Sequence, residues 1–291
     1  MPDYRLARSY ALAAEAAGLD SVWVSDHLVM RFPGEPETGV HEAWTVLSAL
    51  AEATSRVELG TIVLCSSFRN PGLTAKMAAT LDAISGGRLI LGLGCGWHDP
   101  EYEAFGYATD HKVGRFAEAL AIVDGLLSGE RVTIDGRFHT ASDAVLLPPP
   151  VHKVPILVAA VKPRMLDLTV RHADQWNTAW YALPDERLAT RRAALAAALE
   201  AAGRDPGSLV QTVGVRMRAA NVEDESPPGP GALFRGTVAE LAALLDTYER
   251  LGFAHLVAWV DPTTADGFEW LLAGVRQHRD GRPSGVGPPS D

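Results

Sequence analysis

LTAKMAATLDAISGGRLILGLGCGWH, residues 73–98, contains one complete helix-to-strand step. Leu73, Met77, Leu81 and Ile84 recur at steps of four, four and three, which lays one apolar stripe along a helix. Gly86 follows, and glycine takes the left-handed helix stop at the smallest steric cost. Arg88–Leu93 is then a short, nearly continuous apolar run, too apolar for a sheet face open to water. It ends in the polar, glycine-spaced segment Gly94-Cys95-Gly96-Trp97-His98.

The same step repeats on both sides. Val22-Trp23-Val24, Val57–Leu64 with Gly60 inside it, Ile156–Val161, Ala173–Thr178, Leu209–Met217 and His255–Val260 are the other strand-like runs, seven in all with Arg88–Leu93. Helical spacing marks Leu6–Ala17, Glu42–Thr54, Phe116 to Leu127, Arg164–His172, Asp185–Ala202, Val238 to Leu251 and Thr264–Gln277, and Gly18, Gly203 and Gly252 follow helices as Gly86 does. Such alternation predicts an α/β fold, either a doubly wound sheet or a (β/α)8 TIM-type barrel. With eight helices against seven strands, the expected first strand is missing, which predicts exposed edges near Val22–Val24 and Leu256–Val260.

We read residues 1–280 as a single barrel domain. Residues 131–150 interrupt it: Asp135-Gly136 between β-formers predicts a hairpin excursion. Residues 221–231, rich in Pro, Gly and acid, read as a mobile loop, and residues 281–291 as a disordered tail.

Composition excludes several classes. Apolar residues make up 47% and charged residues 21% of 291, which is ordinary for a soluble globular chain. The formal net charge of −10 carries no basic cluster, so neither nucleic acid nor an anionic membrane is an expected partner. No apolar run reaches the roughly 18–20 residues of a membrane span. Two cysteines make no disulfide framework, and a reducing cytoplasm fits. The nine histidines show no metal-ligand spacing, so no metal is expected.

In a barrel, the chemistry lies just beyond the C-terminal ends of the strands. The first run ends in Asp26-His27, where the histidine is either a proton group facing a ligand or a strand-end residue bonded to backbone. The alternating glycines Gly92, Gly94 and Gly96 lack the sixth-position glycine of the dinucleotide fingerprint, because Trp97 stands there. They allow close approach of something flat, or tight strand packing. Ala159-Ala160-Val161-Lys162-Pro163 ends a strand and starts a helix. It is either an anion site, with free N–H groups and the Lys162 charge, or an ordinary turn. Later strand ends add Trp176, Asn177, Trp180, Arg218, Trp259 and Asp261.

Several of these segments together resemble a known family. They are Ser25-Asp26-His27, Phe68-Arg69-Asn70-Pro71 running into Lys76–Asp82, Ser85-Gly86-Gly87-Arg88, Gly92–His98, Pro163-Arg164-Met165-Leu166 and Ala173–Thr178. In order, they resemble the luciferase-like monooxygenases, and within them the coenzyme F420-dependent oxidoreductases. The resemblance implies a redox cofactor lying across the strand ends. His27 would sit beside the reactive ring and substrate as the catalytic proton group, and Asp26 would belong to the cofactor-binding set. Ile62-Val63, joined by a non-proline cis bond, and Cys65 would back the ring. Gly94, Cys95, Gly96, Trp97 and His98 would line the cofactor, and Ala159, Ala160, Val161, Lys162 and Pro163 would hold its phosphate. A homodimer is expected.

The chain also departs from that pattern. Val161 and Lys162 stand where the phosphate turn often has glycine. Trp97 stands where the related sugar-phosphate dehydrogenases place an acid, which leaves a proton-handling carboxylate missing. The leading expectation is an oxidoreductase moving a hydride between reduced coenzyme F420 and a small organic substrate. An FMN-dependent monooxygenase is the alternative, and a non-catalytic flavin-binding barrel a further one.

Overall fold

The computed structural model describes residues 3–223 and 231–281. The chain forms two compact units: Met1–Trp176 with Ala194–Leu209, and Asn177–Ala193 with Val210–Asp291. The single expected domain is therefore two units by their contacts. Most of the expected loop at 221–231, and all but the first residue of the expected tail at 281–291, lie outside the described residues.

The first unit runs α1 (Tyr4–Ala16), β1 (Ser21–Val24), α2 (Ala43–Ala53), β2 (Glu58–Thr61), β3 (Leu64–Cys65), α3 (Pro71–Ser85), β4 (Leu89–Gly94), α4 (Asp99–Phe105) and α5 (Lys112–Leu127). It continues through β5 (Val132–Asp135), β6 (Thr140–Ala144), β7 (Ile156–Ala159) and α6 (Pro163–His172). The division falls within β8 (Gln175–Tyr181) and α7 (Glu186–Ala202). The second unit adds β9 (Val210–Ala219), β10 (Leu233–Gly236), α8 (Val238–Arg250), β11 (His255–Val260) and α9 (Ala265–Asp280).

All seven expected strands are present, as β1, β2, β4, β7, β8, β9 and β11. The 131–150 excursion is the antiparallel β5–β6 hairpin. Two elements escaped the sequence reading. β10 is short and follows the loop at 221–231. α4 is only two turns long and too short to show a period, although Pro100 in its first turn and the acids Asp99 and Glu101 signal a helix start.

In the first unit, the strands lie parallel in the order β1-β2-β4-β7, with β3 beside the end of β4. β4 sits centrally and every one of its residues is buried, as its apolar run requires. β1 ends the order, and all four of its residues are partly exposed. In the second unit, β10 and β11 both lie parallel to β9.

Local chemistry fixes the elements. Asn70 caps α3 through its side chain, Pro71 occupies the first turn, and Gly86 closes the helix at φ 67°. Glu15 is buried, yet its carboxylate accepts the N–H groups of Ser55 (2.8 Å), Arg56 (2.6 Å) and Val57 (3.1 Å). Burial alone would raise its pKa; the hydrogen bonds outweigh it and hold the group down at about 2. Arg88 donates to the carbonyls of Ala51 (2.8 Å), Thr54 (2.9 Å), Val57 (2.9 Å) and Ser85 (2.7 Å), tying the end of α2 to the start of β4.

Glycines set how closely the strands pack. At Gly92 a Cβ would stand 1.9 Å from the backbone carbonyl oxygen of Thr61, and at Gly60 it would stand 2.2 Å from the Trp23 ring. Backbone cannot give way as a side-chain tip can. Gly92→Ala should therefore lower the urea midpoint by the equivalent of about 1–3 kcal/mol or more, with the slope of the transition unchanged. A wild-type midpoint would mean that the strands are not in this register.

Candidate active site

Every residue that the resemblance assigns to the site lies in the first unit, at or just beyond the C-terminal ends of β1, β2, β3, β4 and β7. Cys65 pairs with Gly94, and Leu93 with Val158, so three of these ends stand side by side. His27, Ile62, Val63, Cys95, Gly96 and Ala159 are partly exposed, and Trp97, Val161, Lys162 and Pro163 are exposed. Asp26, Cys65, Gly94, His98 and Ala160 are buried. The peptide between Ile62 and Val63 is cis, where the resemblance puts one.

His27 is held by a residue that sequence reasoning missed. Its Nδ1 lies 3.0 Å from Oε1 of Glu101, whose other oxygen accepts the Leu28 N–H at 2.8 Å. Glu101 is 2% exposed and sits in the first turn of α4. As a carboxylate it accepts, so His27 donates from Nδ1, and Nε2 is the nitrogen left for chemistry. The group that orients His27 is Glu101. One expectation is corrected here: a carboxylate is present at the histidine, though Trp97 occupies the position where it was sought.

Asp26 has a different task. Its Oδ2 accepts the Cys65 N–H (2.8 Å) and Arg69 Nη1 (2.8 Å), and its Oδ1 accepts Arg69 Nη2 (2.9 Å). Arg69 also pairs with Glu42, the cap of α2. Burial works against the Arg69 charge, but the two carboxylates hold its pKa above the usual arginine range. The pair thus joins the end of β1 to the end of β3.

A second chain of contacts joins β3 to β4. The Tyr102 hydroxyl donates to the Cys95 carbonyl (3.0 Å), which leaves the Cys65 thiol to donate to the Tyr102 oxygen (2.9 Å). Burial above all pushes the Cys65 thiol up to about 11, so it remains protonated at neutral pH. Burial also raises the Cys95 thiol, against the opposing charges of Lys112 and Lys162. At Gly96, φ is 73° and a Cβ would stand 1.8 Å from the Tyr102 oxygen; at Gly94 it would stand 2.6 Å from Val63. At these positions the alternating glycines admit the chain's own atoms, which is the tight-packing reading.

The Ala159–Pro163 turn opens α6, with Lys162 as its N-cap, Pro163 in the first turn and no acid there. Lys162 and Arg164 are both exposed. Cations at a helix N-terminus without a competing carboxylate suit a phosphate. The hydroxyl of Ser66, just beyond β3, is buried with no partner among the described residues.

The second unit holds the later strand ends. Trp180 and Trp259 meet at 5.3 Å, and Asp261 accepts Arg216 Nε at 2.7 Å. One trio among the described residues, Asp246, Glu249 and His278, has metal-ligand reach. Both ring nitrogens of His278 already face a carboxylate, so ion pairing accounts for this group. No helix among the described residues is long and apolar enough to cross a membrane.

A model of the luciferase-like monooxygenase family matches residues 1–226. Among curated relatives, the chain is 38% identical over 225 residues to a phthiodiolone/phenolphthiodiolone dimycocerosates ketoreductase from Mycobacterium kansasii, covering 70% of this chain and 61% of the relative. It is 42% identical over 173 residues to an F420-dependent glucose-6-phosphate dehydrogenase from Beutenbergia cavernae, covering 57% of this chain and 50% of the relative. The chain thus spans only 50% to 61% of these relatives' lengths. Among solved structures, an F420-dependent secondary alcohol dehydrogenase matches with a TM-score of 0.82 and 20% identity, over 96% of both chains. The tetrahydromethanopterin reductase of Methanopyrus kandleri matches with a TM-score of 0.75 and 16% identity, over 94% of both chains. These likenesses show the fold, an α/β barrel of the TIM type.

His98 yields a pH prediction. It is buried, and its Nε2 accepts the Arg31 N–H at 3.0 Å. Burial, the largest cause, holds its pKa below the usual 6.5, while the Glu101 charge works the other way. The folded imidazole stays neutral where the unfolded one takes up a proton. Its contribution to stability is therefore complete above about pH 6.5 and is lost progressively as pH falls from there through the lower folded pKa. Urea midpoints measured against pH should fall less steeply below pH 6.5 in His98→Gln than in the wild type.

Proposed function

Because the chain belongs to the luciferase-like monooxygenase family, we propose that it is an oxidoreductase that binds coenzyme F420 across the strand ends of its first unit. It moves a hydride between that cofactor and a small organic carbonyl or alcohol. The observation that carries this reading is the His27–Glu101 pair at 3.0 Å, a proton group with a buried orienting carboxylate. The residues around it fit the cofactor. Lys162, Arg164 and the N-terminus of α6 suit its phosphate, and the orphaned hydroxyl of Ser66 suits a ring with polar edges.

When bound, the reduced deazaflavin supplies a hydride, two electrons with one proton. The protein's share is position and proton handling. Hydride arrival at a carbonyl carbon leaves negative charge on oxygen, and His27 gives that oxygen a proton from Nε2. In the reverse direction the same nitrogen takes the alcohol's proton. Glu101 offsets the imidazolium in either direction and keeps the ring from turning. His98 cannot substitute for His27. Its Nε2 is occupied by an N–H donor, and loss of its remaining proton would give an imidazolate.

Titration of the purified protein with F420 and with FMN, followed by absorbance, tests cofactor choice. F420 should bind at micromolar concentration or below and FMN more weakly; the opposite order would favour the FMN-dependent monooxygenase. Lys162→Ala should weaken F420 binding and make it less sensitive to salt, since it removes a phosphate-directed charge. Unchanged affinity would make Lys162 a surface lysine only.

His27→Ala should cut turnover by roughly 10²-fold or more with F420 affinity largely kept. Glu101→Gln should lower turnover by about tenfold or more and move the pH–rate profile, because it alters the group facing Nδ1. A normal rate in His27→Ala would refute the assignment.

A further inference from the structure

Resting on that reading, we propose that the substrate is a neutral carbonyl or alcohol with an apolar body, an aromatic ring or an alkyl chain. Its body lodges against a wall made by Trp97 and Phe32.

The two rings stack at 6.5 Å with an interplanar angle of 24°, and Trp97 meets the His27 ring edge-to-face at 5.6 Å. Both are unusually open for their type: Trp97 is 55% and Phe32 36% exposed. Beneath them lies His98, 5.1 Å from Trp97 and 5.2 Å from Phe32. Reach decides what covers the wall. An oxygen that exchanges a proton with His27 Nε2 must lie within about 3 Å of it. Trp97 borders the same imidazole, so it is the apolar surface beside that oxygen on which the substrate's body can rest.

Charge decides the class. Arg31 is held by Glu37 at 2.8 Å, Lys112 pairs with Asp99, and Glu101 is committed to His27 and Leu28. His98 is buried, which holds its pKa low, and its Nε2 is taken by the Arg31 N–H. A phosphorylated or carboxylated substrate would find no uncommitted cation among these neighbours, whereas an apolar body would remove the rings from water.

The loop is built to hold this wall. Met30 and Thr38 exchange both backbone hydrogen bonds, at 2.7 and 3.1 Å, closing a loop that carries Phe32 near its tip. The Leu28–Glu101 and Arg31–His98 bonds fasten the residues on either side of Met30 to the segment after β4.

Calorimetric titration of the protein with acetone, methyl hexyl ketone and acetophenone, with and without F420, tests the proposal. In the wild type, affinity should rise with apolar size by up to roughly three- to fourfold per methylene buried. The rise should flatten in Phe32→Ser and in Trp97→Ala. Both residues are exposed, so folding should survive; circular dichroism checks this. Equal affinity for the three ketones, an unaltered trend in both variants, or tighter binding of glucose 6-phosphate than of methyl hexyl ketone would overturn it. So would a dimer that Phe32→Ser dissociates without changing ketone affinity, since the wall would then be a contact between copies. If F420 fails to bind, the proposed function falls, and the ketone series alone still decides whether the wall selects apolar bodies.

Discussion

Glu101 fixes two things with one carboxylate. One oxygen faces the His27 imidazole, and the other takes the Leu28 backbone N–H. The loop after β1 is thereby tied to the short helix after β4, and the ring's tautomer is set by the same contact. A buried carboxylate is tolerated only when its oxygens are occupied, so the histidine and the loop are as necessary to Glu101 as it is to them. Arg69 works on the same principle one layer away, with its charge shared between Asp26 and Glu42.

The framework was legible because its signals are periodic. The four, four and three spacing from Leu73 to Ile84 and the apolar run Arg88–Leu93 became α3 and β4, and Gly86 ends α3 as its position implied. What could not be read was short or non-local. α4 is two turns long, and the pair it creates spans 74 residues, a separation that no local pattern reports. The loss matters because the carboxylate comes from that helix. Trp97 marked where an acid was absent, but sequence alone could not say that Glu101 would reach the histidine from the next turn.

The glycine segment makes the same point in reverse. Gly92, Gly94 and Gly96 were correctly seen as sites of close approach, but the approaching atoms belong to Thr61, Val63 and Tyr102. Alternating glycines in a strand say that something is near; they do not say whether it is ligand or backbone. The parallel pairing of β2, β3 and β4 decides that for Gly92 and Gly94, and the packing of α4 decides it for Gly96.

The Met30–Thr38 bridge has an evolutionary meaning. It insulates the loop tip from the loop base, so side chains at the tip can be exchanged while the bonds that secure His27 stay intact. Phe32 and the His27–Glu101 pair thus sit on separate short segments, whereas Trp97 lies on the segment that leads into Glu101. For protein engineering, residues 32–37 are a natural library window, since the bonds that hold His27 and His98 lie outside it.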